Sequence, residues 1–169
     1  MPALTRKSKP LKDRTGVNSA KKSICEVSGI ENLIRAMLKR HHTPFMIIKR
    51  HALEKQYKRF QKCLPEVTPY YAIKANPYSR IIKTFIKLGA GFDVASGAEM
   101  KQVLRLGVSP SKIIFANTIK TGSDITLARR RRVRLMTFDN EPELYKIAKH
   151  YPKAHVLVRI KVENQGSVV

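Results

Sequence analysis

YYAIKANP, residues 70–77, is an apolar run that stops abruptly at a lysine, with an asparagine and a proline close behind. Tyr70 to Ile73 read as a short buried strand. Asn76-Pro77 reads as a helix start, with a capping side chain before a proline in the first turn. Strand parity puts Tyr70, Ala72 and Lys74 on one face, and Tyr71 and Ile73 on the other. Lys74 therefore falls at the carboxyl end of its strand. Burying an unpaired ammonium is costly. Either the side chain snorkels to solvent along its aliphatic stem, or an anionic or covalent partner meets it there.

The surrounding sequence repeats this unit. Apolar runs begin at Phe45 (FMIIK), Tyr70 (YYAIK), Gly91 (GFDVA), Lys112 (KIIFAN), Val133 (VRLMTFD) and Ala154 (AHVLVRI), 21 to 25 residues apart. Helical spacing fills the gaps, as in Ile81, Ile82, Phe85 and Ile86, or Met100, Val103 and Leu104. Ser96 with Glu99, Thr121 with Asp124, and Asn140 with Glu143 have capping-box spacing. Strand–helix units at a short fixed period predict an α/β fold with parallel strands and right-handed crossovers. An open doubly wound sheet and a (βα)8 TIM-type barrel both fit. The even period and the absence of a GxGxxG turn favour the barrel, of which about six units are expected here. Ahead of them, residues 28–40 carry Ile30, Leu33, Ile34, Met37 and Leu38 on one helical face, with Ser28 and Glu31 as the cap. The predicted organisation is a basic tail over 1–22, an amphipathic helix region over 23–43, and a partial barrel over 44–169.

Composition narrows the class. Hydrophobic residues make up 43% of the 169-residue chain, an ordinary value for a globular protein. No apolar run approaches a membrane span, and the basic start lacks a signal-peptide core. Cys25 and Cys63 are far apart and have no metal-type spacing, which suits a reducing cytoplasm. A matrix-targeting presequence is the alternative for the acid-poor start. The formal charge is +22, with seven Lys or Arg against one Asp in residues 1–22 and a dense run, RRRRVR, over 129–134. A specific nucleic-acid partner is disfavoured, because no interleaved aromatics accompany the charge. A solvated basic surface is the plainer reading.

Four segments carry a family resemblance: PYYAIKANP, GAGFDVASGAEM, IIFANTIK and MTFDNEPEL, in this order and at these intervals. Together they resemble the amino-terminal half of the ornithine/lysine/arginine decarboxylases, pyridoxal-phosphate enzymes of the alanine-racemase-like fold (fold type III). FANTIK and TFDNE resemble the ornithine branch more than the diaminopimelate branch. The resemblance implies that Lys74 holds pyridoxal 5'-phosphate as a Schiff base, a use of a strand-end lysine that its chemistry allows. It implies that Asp93 and Arg159 lie beside the cofactor, and that Glu99 lies near the substrate or one contact removed. Glu99 is equally a capping carboxylate, and Asp93 equally a carboxylate at a helix start. Asn117 and Lys120 are expected to be turn-forming, solvated residues.

The implied reaction is decarboxylation of ornithine to putrescine in polyamine biosynthesis, by a homodimer, with an antizyme-type regulator as a further partner. The family's glycine-rich phosphate loop, the glutamate that pairs with the pyridinium nitrogen, and its carboxy-terminal β domain have no counterpart in these 169 residues. Lysine, arginine or diaminopimelate decarboxylation, and a non-catalytic homologue of the antizyme-inhibitor kind, are the alternatives. A pure decoy has no need of Lys74.

Overall fold

The computed structural model of the chain describes residues 30–162, which fall into two compact units dividing between Ile48 and Lys49. The expected basic tail and the Ser28 cap lie outside the described residues.

In the first unit, helix α1 spans 30–38. Its apolar stripe is only partly covered: Ile30, Leu33 and Met37 are half-buried, whereas Ile34 and Leu38 are exposed. Phe45–Lys49, expected as the first strand, is not one. It joins no ladder among the described residues, and Met46 stands 77% exposed. An apolar run becomes a strand only when neighbouring strands satisfy its backbone. Among the described residues the six expected units are therefore five strands.

The second unit runs α2 (Arg50–Cys63), β1 (Tyr70–Ala72), α3 (Ser79–Leu88), β2 (Gly91–Val94), α4 (Gly97–Arg105), β3 (Ile113–Phe115), α5 (Gly122–Arg131), β4 (Leu135–Phe138), α6 (Glu141–His150) and β5 (His155–Val158). The five strands form one parallel sheet in sequence order. This is the arrangement that successive right-handed crossovers produce at the start of a barrel wall. Among the described residues the wall is open, with β1 and β5 as its two edges.

Alternation along the strands explains the core. Phe92, Val94, Ile113, Phe115 and Met136 are buried against Ile82, Met100, Val103, Ile125, Ala128 and Ile147 from the helices. The opposite face carries Ala72, Asp93, Ile114, Leu135 and Thr137, all half-buried. Three helix starts follow the sequence closely. Ser96, Thr121 and Asn140 each accept a hydrogen bond from the backbone N–H three residues on. Such a cap typically contributes about 1 kcal/mol.

The helix ends are less uniform. The chain leaves α3 through Gly89 (φ 85°) and α4 through Gly107 (φ 89°), but leaves α5 through Arg132 at φ 60°. The left-handed region disfavours any residue with a Cβ, by about 1–2 kcal/mol. Arg132→Gly is expected to raise the unfolding free energy by about 1 kcal/mol. Urea denaturation checks it, and a fall in stability would mean that the arginine side chain repays its backbone.

Candidate active site at the carboxyl ends of the strands

Parallel strands bring their carboxyl ends to one edge, so Lys74, Asp93, Asn117 and Arg159 share that end of the sheet. Lys74 is placed by its neighbours rather than by its own contacts. The strand stops at Ala72, and a 3-10 turn over Ile73–Ala75 follows. Ile73 is fully buried in the core, which turns the next side chain, Lys74, outward. Tyr71 stacks on Phe85, with ring centroids 4.3 Å apart, and its hydroxyl donates to the Asn76 carbonyl at 3.1 Å. Gln102 Nε2, from α4, donates to the Pro77 carbonyl at 2.7 Å. The turn is pinned on both sides while its lysine stays exposed.

Asn76 does not cap α3. Its Oδ1 accepts from the Tyr78 N–H at 3.0 Å, and α3 begins only at Ser79 with no side-chain cap. The added 3-10 turn displaces the helix start, and Asn76 closes a local turn instead.

Asp93 pairs in register with Ala72 and sits half-buried on the face away from the helices. Burial pushes its carboxyl above the usual aspartate range; the Lys74 ammonium pulls it back, and Glu99 pushes it up again. Lys74, Asp93 and Glu99 therefore form one electrostatic group. Glu99 also serves the backbone: its Oε2 accepts from the Ala95 N–H at 2.7 Å, while its own N–H donates to Ser96 Oγ at 3.2 Å. The capping role is occupied, and the carboxylate still faces the Asp93 charge.

A raised carboxyl binds protons more tightly in the folded state, so its ionisation costs stability as pH rises through the folded-state value. Asp93→Asn is accordingly expected to be more stable than the parent at pH 7, with the difference vanishing near pH 3. Thermal melts at the two pH values check this. A variant less stable at pH 7 would show that the charge is held by contacts that favour it.

Arg159 follows β5 by one residue, and its N–H donates to the Phe138 carbonyl at 2.7 Å, which extends the ladder. The side chain is exposed and is not drawn into contact with Lys74 or Asp93 by any hydrogen bond or ion pair among the described residues. Asn117 is turn-forming, as expected: Oδ1 accepts from the Ile119 N–H at 3.3 Å, and Nδ2 donates across to the Ala95 carbonyl at 3.1 Å.

Lys120 is not the solvated residue that the sequence suggested. Its side chain is fully buried, with Nζ 3.0 Å from Glu143 Oε1, and it donates to the carbonyls of Asn117 at 2.9 Å and Thr137 at 2.6 Å. Its N–H also donates to Glu143 Oε1 at 3.1 Å. Lys146 closes on the second Glu143 oxygen at 2.6 Å. Desolvation pushes the Lys120 ammonium below its ordinary range, against the pull of Glu143. Burial pushes Glu143 up, but the hydrogen bonds from Lys146 and Lys120 outweigh it and leave the carboxyl below its ordinary range. This clamp ties the loop after β3 to the end of β4 and to α6. Thr137 was likewise missed. Its Oγ1 is buried without a partner, on the open face; the parity of LMTF around buried Met136 was the available signal.

Residues 50–168 match the pyridoxal binding domain of the pyridoxal-dependent decarboxylases. A probable ornithine decarboxylase of Dictyostelium discoideum is 41% identical over 141 residues, covering 83% of this chain and 31% of that protein. Lysine decarboxylase from Selenomonas ruminantium superposes with a TM-score of 0.75 at 38% identity, over 80% of this chain and 37% of that one. The arginine decarboxylase of Paramecium bursaria Chlorella virus, bound to agmatine, gives 0.74 at 36% identity, over 77% and 36%. The chain thus spans about a third of the length of the proteins it matches.

Proposed function

Because the chain belongs to the pyridoxal-dependent decarboxylases, through their pyridoxal binding domain, we propose that it supplies the lysine-bearing wall of an amino-acid decarboxylase and that ornithine is the substrate. The observation that carries this is Lys74, presented on a pinned turn at the strand ends beside the Asp93 carboxylate.

The residues present fit pyridoxal phosphate. Lys74 offers a primary amine and Arg159 a cation for an anionic group. Ala72 and Ala116 leave room on the open face, and the orphaned Thr137 hydroxyl offers a polar contact. When bound, the cofactor supplies an electron sink that lets the α-carboxylate leave as carbon dioxide. The chain's own residues do the rest. Lys74 Nζ would hold the cofactor's aldehyde carbon covalently with loss of water, and after release would carry a proton. Asp93 sets its carboxyl in the field of the Lys74 side chain, and Glu99 holds the loop that follows β2. The lysine–glutamate clamp keeps the loop after β3 in place against β4 and α6, so that the open face meets substrate as a fixed surface.

Ornithine rather than lysine or arginine is supported by the Dictyostelium relative. Action on a small basic amino acid in the cytoplasm, within polyamine biosynthesis and as a homodimer, goes with this reading. The test is carbon dioxide release from ornithine, lysine and arginine in turn, by a protein that carries this chain and is loaded with pyridoxal phosphate. The expected result is the highest kcat/KM for ornithine. Preference for another of the three would replace the substrate, and no turnover on any would remove the activity.

A further inference from the structure

Decarboxylation leaves the chain's basic character unused, and part of that charge is gathered around a groove. At the amino ends of β3, β4 and β5, the opposite edge of the sheet from Lys74, Ser109, Ser111, Arg132, Arg134, Leu135 and His155 line a groove of about 590 Å³. That is within the usual range of small-ligand pockets, about 300–1,000 Å³. Among the described residues no carboxylate lines it.

Two local contacts hold the lining segments in place. Arg134 directly precedes β4, and its carbonyl accepts from the His155 N–H at 2.8 Å, which holds the two strand starts together. Ser109 Oγ and Ser111 Oγ are 2.9 Å apart. Whichever hydroxyl donates, the other keeps its hydrogen for an outside acceptor. The two guanidinium groups bring planar forks of donors suited to phosphate oxygens.

Arg132 gives the second, independent sign. Glycine fills the left-handed positions after α3 and α4, but here the position after α5 is an arginine at φ 60°. Complementing the negative end of the α5 dipole does not account for it, because Arg129, Arg130 and Arg131 in the last turn already do so on ordinary helical backbone. Strained backbone of this kind gathers at ligand-binding positions, and Arg132 lines the groove.

We propose that this groove binds a small anion bearing two or more phosphate groups, held by Arg132 and Arg134 with a serine hydroxyl as an added donor. The experiment is calorimetric titration of the purified chain with inorganic tripolyphosphate at fixed moderate salt. One saturable site is expected. Arg132→Gly combined with Arg134→Ala should weaken it by at least about tenfold. Arg129→Ala combined with Arg130→Ala removes the same charge outside the groove and should change it by less than about threefold. Arg132→Gly relieves the left-handed backbone, so an unchanged or raised melting temperature separates lost binding from lost folding. Equal weakening by the two double variants, or no saturable binding, would overturn the proposal. So would a single-stranded oligonucleotide that binds with the same arginine dependence while tripolyphosphate does not.

Discussion

Glu143→Ala should destabilise the folded chain by about 3–5 kcal/mol, the usual cost of stripping a buried charge of its partner. The substitution leaves the Lys120 ammonium, whose side chain has no solvent exposure, facing two carbonyls and no counter-ion. It also removes the acceptor for the Lys120 N–H. Lys120→Met should cost less, because Glu143 keeps Lys146, which reaches solvent. Lys120→Met together with Glu143→Leu should recover most of the loss, since a matched apolar pair avoids both desolvation penalties.

The pH dependence has a definite sign. A carboxyl lowered in the folded state contributes stability above its unfolded value, about 4.3, and loses it as pH falls through the lower folded value. Urea midpoints for the three variants, with the parent followed from pH 6 to pH 3, measure all of this. A Glu143→Ala cost below about 1 kcal/mol, the level of an exposed pair, would mean that the clamp does not hold the loop after β3.

The second large effect is on chemistry. In a protein that carries this chain and decarboxylates ornithine, Lys74→Ala should lower turnover by at least about a thousandfold, roughly 4 kcal/mol of barrier. Covalent holding fixes the reacting carbon in place, and fixed orientation can be worth about 7–11 kcal/mol. Lys74→Arg should not restore activity, because a guanidinium keeps its proton at any working pH and is no nucleophile. Stability should barely change in either variant, since Lys74 is exposed and it is Ile73, Tyr71 and Gln102 that hold the turn. Turnover within about tenfold of the parent in Lys74→Ala would move the chemistry to another residue.

Much of this arrangement is legible in the sequence because it rests on local rules. The strand period locates β1 to β5, and the Ser96, Thr121 and Asn140 caps appear where their spacing puts them. Lys74, Asp93 and Arg159 fall at one edge simply because the strands are parallel. What escaped depends on partners distant in sequence. Phe45–Lys49 has the apolarity of a strand but no ladder among the described residues. Lys120 looks solvated until Glu143, 23 residues on, is seen folding beneath it. Asn76 before Pro77 has the form of a cap, and only the additional 3-10 turn reassigns it. Nothing in a run of four arginines reveals that the fourth adopts a left-handed backbone.

On the proposed function, the turn after β1 presents the lysine that would bind the cofactor. The most direct measurement loads the protein with pyridoxal phosphate, reduces it with borohydride and maps the modified lysine by peptide mass spectrometry. A pyridoxyl group is expected on Lys74 in preference to the other exposed lysines, with loss of that preferred label in Lys74→Ala and no replacement site. Modification spread evenly over the surface lysines, or concentrated on another residue with Lys74 untouched, would contradict it.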